Sequence, residues 1–285
     1  MKPPSFGYSR PESVAEAISM LAGLGPDAKV LAGGQSLLPL LNMRLAAPSH
    51  LVDINRLTEL AYVSVSGSQV AIGALARHND VLRDPLAAVA QPLLGQALAL
   101  VAHPVIRNRG TTVGSIVHAD PAGEMTAVLA LLGGSVRLAS SAGERIVRAE
   151  DFFLGPLESD VAAGELATEV TFPLLVPKAG CAFAEVSRRH GDYAVCGVAA
   201  VVQVDGDGQV ESARAAYLSV GPVPVVLDLT EARGDFAAAG KLATGRLRPG
   251  EDLHATASYR RHLAGVLTVR ALAEASARAK ERVSA

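Results

Sequence analysis

Lys29-Val30-Leu31-Ala32-Gly33-Gly34-Gln35-Ser36-Leu37-Leu38-Pro39 is the stretch on which the reading of this chain turns. Val30 and Leu31 are apolar, as a buried strand prefers. Gly33 and Gly34 carry no β-carbon, so the backbone can bend sharply and approach a ligand closely. Ser36 is placed to cap a helix, and Pro39 fits a first helical turn, where its missing N–H is not needed. Strand, glycine turn and helix start together leave amide donors pointing outward at one spot, an arrangement that suits an anion such as phosphate. The plain alternative is a strand-to-helix turn that binds nothing, because one glycine turn is a weak signal.

Working outward, the spacing predicts a helix over 12–24, with Val14, Ile18, Leu21 and Leu24 on one side. A second strand is expected at His50-Leu51-Val52-Asp53-Ile54, after a helix over 37–45, which makes a βαβ unit with a small parallel sheet. Alternation over 60–75 reads as a hairpin, and helices are expected over 77–83 and 92–101. A second glycine-bearing stretch, 105–121, crowds Gly110, Thr111, Thr112, Gly114 and Ser115 together. Amides and hydroxyls there can ring a diphosphate, and too few of these residues are apolar to be core. A helix over 124–132 and strands over 136–139, 145–147 and 169–172 follow. The pattern changes at Pro173-Leu174-Leu175-Val176-Pro177. Beyond it lie three strand-like runs, 183–187, 194–204 and 210–220, with Asp205-Gly206-Asp207-Gly208 as a hairpin turn. Helices over 229–242 and from 259 to the end complete the chain, which is expected to divide at 1–55, 56–176 and 177–285.

Several function classes are excluded or made remote. A net charge of −2 gives no reason to expect nucleic acid. No long apolar run follows Met1-Lys2-Pro3-Pro4-Ser5, so neither a signal nor a membrane span is expected, and a cytoplasmic location is. The two cysteines, Cys181 and Cys196, are too few for a disulfide framework or an iron–sulfur cluster. There is no Gly-x-Gly-x-x-Gly after a strand, no P-loop, no nucleophile elbow and no metal-ligand spacing. What is left is a pair of loops without acid–base or nucleophile machinery, which points to a bound cofactor that carries the chemistry itself.

At this point a resemblance emerges. Ala32-Gly33-Gly34-Gln35-Ser36-Leu37-Leu38-Pro39, Ile106-Arg107-Asn108-Arg109-Gly110-Thr111 with Gly114-Ser115, and His118-Ala119-Asp120-Pro121 resemble the flavin loops of molybdenum hydroxylase medium subunits. Aerobic carbon monoxide dehydrogenase and the xanthine dehydrogenase flavin domain are of this kind. Ala149-Glu150-Asp151-Phe152-Phe153 and Tyr259-Arg260-Arg261-His262-Leu263 are similar to further family signatures, so the likeness spans nearly the whole chain.

The resemblance implies an α+β fold. A two-part FAD-binding domain of the PCMH (vanillyl-alcohol-oxidase-like) type would be followed by a three-stranded antiparallel sheet with helices. It implies that Val30, Leu31, Ala32, Gly33, Gly34, Gln35, Ser36 and Leu37 wrap FAD together with Gly110, Thr111, Gly114 and Ser115. Asp120 and Glu124 would lie near the ribityl, ribose or phosphate groups, Asp192 and Tyr193 beside the isoalloxazine, and Val101 and Leu166 close by. On the bare residues, Tyr193 is equally a half-buried aromatic at a strand end, and Asp120 a helix cap before Pro121. Arg107 and Arg109 are read either as phosphate counter-charges or as surface ion-pairing groups. Three departures stand out. Val113 replaces a glycine, Gln35 stands where some relatives carry histidine, so FAD is expected to be non-covalent, and Ala184 replaces a flavin-contacting lysine. The function implied is an electron-transfer subunit. It would serve a large molybdenum-binding partner and a small partner with [2Fe-2S] clusters, as a dimer of heterotrimers. The alternatives are a stand-alone flavoprotein oxidoreductase and a scaffold subunit that has lost FAD.

Overall fold

The structure, a computed structural model of the chain, describes residues 2–284. Met1 and Ala285, the last position of the closing helical run, lie outside them. Three main sheets follow one another along the chain. In the first, Ala28–Leu31 pairs in parallel with His50–Asp53, as the βαβ reading requires, and Gly7–Ser9 adds a further parallel strand on the other side of His50–Asp53. The helix Val14–Leu24 opens on Ser13, whose hydroxyl accepts from the Glu16 amide.

The middle sheet is antiparallel, with Leu166–Pro173 at its centre between Gln69–Gly73 and Ser135–Ser140. Short helices that apolar spacing does not reveal connect it: Pro85–Ala90, Pro104–Arg107 and Thr112–His118. Two of these open on a proline, which favours a helix start and shortens the pattern available for recognition. The second glycine-bearing stretch is therefore not all loop. Thr112, Val113 and Ile116 are buried, contrary to the expectation that it contributes little to the core.

The closing sheet has four antiparallel strands rather than three: Ala179–Ser187, Ala194–Val204, Val210–Leu218 and Val225–Asp228. The fourth is short and follows Gly221-Pro222-Val223-Pro224, which masks it as loop. The helix expected over 229–242 starts later, as Phe236–Arg246. Arg233 and Gly234 adopt φ of 46° and 85°, which breaks the run, and Asp235 then caps the helix through the Ala238 amide.

Ala194–Val204 is apolar almost throughout because both faces of this sheet are covered. Val198, Ala200 and Val202 pack toward the closing helix Ala257–Ser284, whereas Ala199 joins the core shared with the helix Glu124–Leu132. Gln96 blunts the free edge. Its side-chain amide accepts from the Phe183 N–H at 3.1 Å and donates to the Cys181 carbonyl at 3.3 Å, imitating a neighbouring strand.

The closing helix lies against the sheet at a glycine. A β-carbon on Gly180 would collide with the Ala275 carbonyl and stand 2.5 Å from the Ala279 nitrogen. Gly180→Ala is therefore expected to destabilise the chain by about 1–3 kcal/mol, the usual range for overpacking. Urea unfolding measures this, and an unchanged midpoint would contradict so close an approach.

Candidate functional site

The two glycine-bearing bends touch. A β-carbon on Gly33 would stand 2.5 Å from the Arg109 carbonyl oxygen, 2.7 Å from the Gly110 α-carbon and 3.0 Å from the Thr111 nitrogen. Only a residue without a side chain lets the backbones approach this closely. Gly34 has φ 71°, which turns the strand Ala28–Leu31 into the helix Leu37–Asn42. Ser36 does not cap that helix as expected. Its backbone is already helical (φ −98°, ψ −46°), since the turn begins one residue pair earlier with the Leu38 N–H donating to the Gly34 carbonyl. In the second bend Thr111 is the cap. Its hydroxyl accepts from the Gly114 amide at 3.1 Å, and a β-carbon on Gly114 would lie 2.5 Å from that hydroxyl. Val113 needs no positive φ, because it is buried in the first turn of Thr112–His118.

Donors accumulate where the bends meet. Among the described residues, the backbone amides of Gly33, Gly34, Gln35, Ser36, Thr111 and Val113 have no hydrogen-bond acceptor, and neither do the Ser36 and Ser115 hydroxyls. Gln35 turns its side chain back onto the Gly33 carbonyl at 2.9 Å. Amides and hydroxyls on two touching bends are the kind of donor set that a diphosphate requires.

Residues that sequence reading did not single out hold the bends together. Asn55 donates to the Ala32 carbonyl at 2.9 Å and accepts from the Arg77 guanidinium at 2.7 Å, while Arg77 donates to the Arg109 carbonyl at 2.7 Å. Buried His78 lies beneath Gly110 and within 3.2 Å of the Thr112 hydroxyl. Burial, reinforced by the Arg107 charge, pushes its imidazole down to about 4, so it is neutral at ordinary pH. Arg77 and His78 stand in the polar run Arg77-His78-Asn79-Asp80 after the apolar Ala74-Leu75-Ala76, and nothing local in it, or at Asn55, points to the bends.

The arginines of the second stretch behave differently from each other. Arg107 points at the carbonyls of Val101 (2.8 Å) and Ala102 (3.1 Å), where it satisfies the end of the helix Pro92–Leu100. Among the described residues it makes no ion pair. Arg109 is exposed and, among the described residues, makes no ion pair.

A second cluster forms where the middle part meets the closing sheet. Asp120, Pro121, Asp192, Tyr193, Ser219 and Arg260 line a cavity of about 540 Å³. Tyr193 is 66% exposed at its edge, so its ring is not a half-buried strand end. The Asp120 carboxylate accepts from the Ala122 amide at 2.8 Å, and the Pro121 carbonyl accepts from the Ser219 amide at 2.8 Å. Asp192 is committed to its own loop, pairing with Arg188 (3.1 Å) and Arg189 (3.3 Å). That loop is docked by the ring contact of His103 with His190. A β-carbon on Gly191, which has φ 77°, would meet the His103 ring at 2.6 Å. Val101 and Leu166 are buried in the adjoining core.

Comparison with known proteins decides what this frame is. Residues 4–175 match the model of the FAD binding domain in molybdopterin dehydrogenase, and residues 181–275 that of the CO dehydrogenase flavoprotein C-terminal domain. The chain belongs to the flavoprotein subunits of the molybdopterin dehydrogenases. It is 42% identical to the 6-hydroxypseudooxynicotine dehydrogenase complex subunit alpha of Paenarthrobacter nicotinovorans, over 98% of this chain and 97% of that one. To the carbon monoxide dehydrogenase medium chain of Hydrogenophaga pseudoflava it is 37% identical, over 98% and 99%. Carbon monoxide dehydrogenase from H. pseudoflava superposes with a TM-score of 0.92 at 38% identity, covering 98% of this chain and 99% of that one. Quinoline 2-oxidoreductase from Pseudomonas putida 86 superposes with a TM-score of 0.91 at 39% identity, covering 98% and 99%. Membership establishes an FAD-binding, medium-type subunit of an oxidoreductase complex, with the two-part flavin domain and a closing domain. Among the described residues no helix is long and apolar enough to cross a membrane, and no cluster suits a metal.

The flavoprotein subunit also holds two carboxyl groups away from their ordinary range: Glu124, buried and near Tyr193, and Glu185 on the strand Ala179–Ser187. Burial pushes Glu124 up to about 7; burial and then the Glu124 charge push Glu185 up to about 8. Glu185 Oε2 is buried without a hydrogen-bond partner. Both groups thus favour the neutral form in the folded chain. Their stabilising effect is complete below the ordinary carboxylate range and is lost as pH rises through about 7 and 8. Melting temperatures should therefore fall from pH ~5 to ~9 more steeply in the native chain than in Glu185→Gln. Parallel curves would contradict the assignment.

Proposed function

We propose that this subunit holds one non-covalent FAD across its touching bends and relays electrons through it. The single observation that carries the reading is the set of unpaired amides and hydroxyls on both sides of the contact at Gly33. In this reading Val30–Leu37 and the residues Gly110, Thr111, Gly114 and Ser115 surround the diphosphate. Asp120 and Glu124 lie toward the ribityl chain, and Asp192 and Tyr193 beside the isoalloxazine, with Val101 and Leu166 packed behind. Support comes from the common cavity of Asp120, Asp192 and Tyr193 and from the exposure of the Tyr193 ring, which is free to cover a planar group. Gln35 supplies an amide and no nucleophile at its position, which favours non-covalent retention.

FAD, when bound, supplies the redox chemistry between iron–sulfur clusters of a small partner, fed from a molybdenum site in a large partner, and an external acceptor. The chain's own contribution is to fix the cofactor with backbone donors, exclude water with the buried second bend and present one aromatic ring. Division at 1–55, 56–176 and 177–285 is favoured by the three main sheets, each of which falls within one of these spans. A dimer of heterotrimers in the cytoplasm completes the proposal; the names of relatives as medium chains and complex subunits favour the multi-subunit part of it.

Purified full-length chain should carry FAD and show flavin absorbance, and Gly33→Val should lose it, since the added carbons meet the Arg109–Gly110 backbone. Full flavin content in Gly33→Val, measured by absorbance after gel filtration, would overturn the placement. Tyr193→Ala should retain FAD but shift its spectrum or reduction potential; if neither moves, the ring does not cover the flavin.

A further inference from the structure

The contact between the bends is not made by glycine alone. A continuous hydrogen-bonded path runs behind it, from the first sheet to the second bend. Tyr8 donates to Asp53 Oδ2 at 2.5 Å, at the end of the central strand His50–Asp53. Asp53 Oδ1 accepts from the Asn55 backbone at 2.9 Å and from its side chain at 2.6 Å, which fixes the Asn55 amide orientation. Burial alone would raise the Asp53 carboxyl, but the hydrogen bonds from Tyr8 and Asn55 outweigh it and hold the group below its ordinary value. The path ends on Arg77, whose main chain also bridges to Thr111 and whose guanidinium reaches the Arg109 carbonyl.

This geometry has a consequence for the donors. In a trans peptide the carbonyl and the following N–H point in opposite directions. Drawing the Ala32 carbonyl toward Asn55 therefore turns the Gly33 N–H away from Asn55, where it keeps no partner in the chain. Arg77 is the only group, among the described residues, that hydrogen-bonds both to Asn55 and to the second bend. Its planar fork bonds two acceptors from two separate nitrogens held in a fixed geometry, which the single nitrogen of an ammonium group does not reproduce.

We infer that Asn55 and Arg77 are positioning residues of the cofactor site: together they tie the Ala32 and Arg109 carbonyls and set the gap that the diphosphate must fill. The inference rests on the FAD reading given above. Each acts through the backbone of a bend.

The test is a double-mutant cycle on the full-length chain, stripped of flavin and titrated with FAD by fluorescence quenching. Asn55→Ala and Arg77→Met should each weaken FAD binding by roughly 10- to 100-fold. The double variant should be no weaker than the weaker single one, because both remove the same tie. The circular dichroism of bound flavin should change in the same way in all three. Arg77→Lys, which keeps the charge without the fork, should resemble Arg77→Met in affinity; it also serves as the test should Arg77→Met fail to fold. Unaltered affinity in the folded variants, strictly additive losses, or full rescue by lysine would overturn the inference while leaving the FAD reading intact. A native chain that takes up no FAD would overturn both.

Discussion

Backbone packed directly on backbone, at Gly33 against Arg109–Gly110, is the constraint on which the site depends. A side chain at that point would separate two segments that lie far apart in the chain, one after the strand Ala28–Leu31 and one before the helix Thr112–His118. With glycine there, the two segments meet while the Ala32 and Arg109 carbonyls are occupied by Asn55 and Arg77. The amides of Gly33, Gly34, Gln35, Ser36, Thr111 and Val113 keep no partner among the described residues, which leaves them available to a ligand.

The rest of the molecule holds this contact still. The first sheet anchors one bend through Asp53 and Asn55, and the middle part anchors the other through His78, Thr111 and Thr112. The closing sheet and its long helix stand behind the opposite end of the site. There the Pro121–Ser219 hydrogen bond and the His103–His190 contact set where Tyr193 emerges. Gly180 against the closing helix, like Gly33 against the second bend, shows this chain using glycine to bring backbones together and not only to turn them.

Much of the frame was legible in the sequence. The βαβ unit and the hairpin turn at Asp205-Gly206-Asp207-Gly208 come from local chemistry, and local chemistry survives folding. Short proline-led helices and the strand Val225–Asp228 did not declare themselves, because four to six residues hold too little periodicity. Both bends were visible as glycine-rich segments; that they come together was expected only from the resemblance, because local chemistry does not reach across sequence-distant segments. Asn55 and Arg77 stayed hidden for a related reason: a polar residue that satisfies a distant carbonyl looks, in sequence, like any surface residue. Arg107 shows the converse. It stood in a suggestive motif and proved to close the end of a helix.

Hydrogen exchange of the flavin-free and FAD-loaded chain, followed amide by amide, addresses the shared-gap account most directly. Slowed exchange on loading at Gly33, Gly34, Gln35 and Ser36 together with Thr111 and Val113 is the predicted result. Protection confined to one bend, or absent from both while FAD is bound, would contradict it.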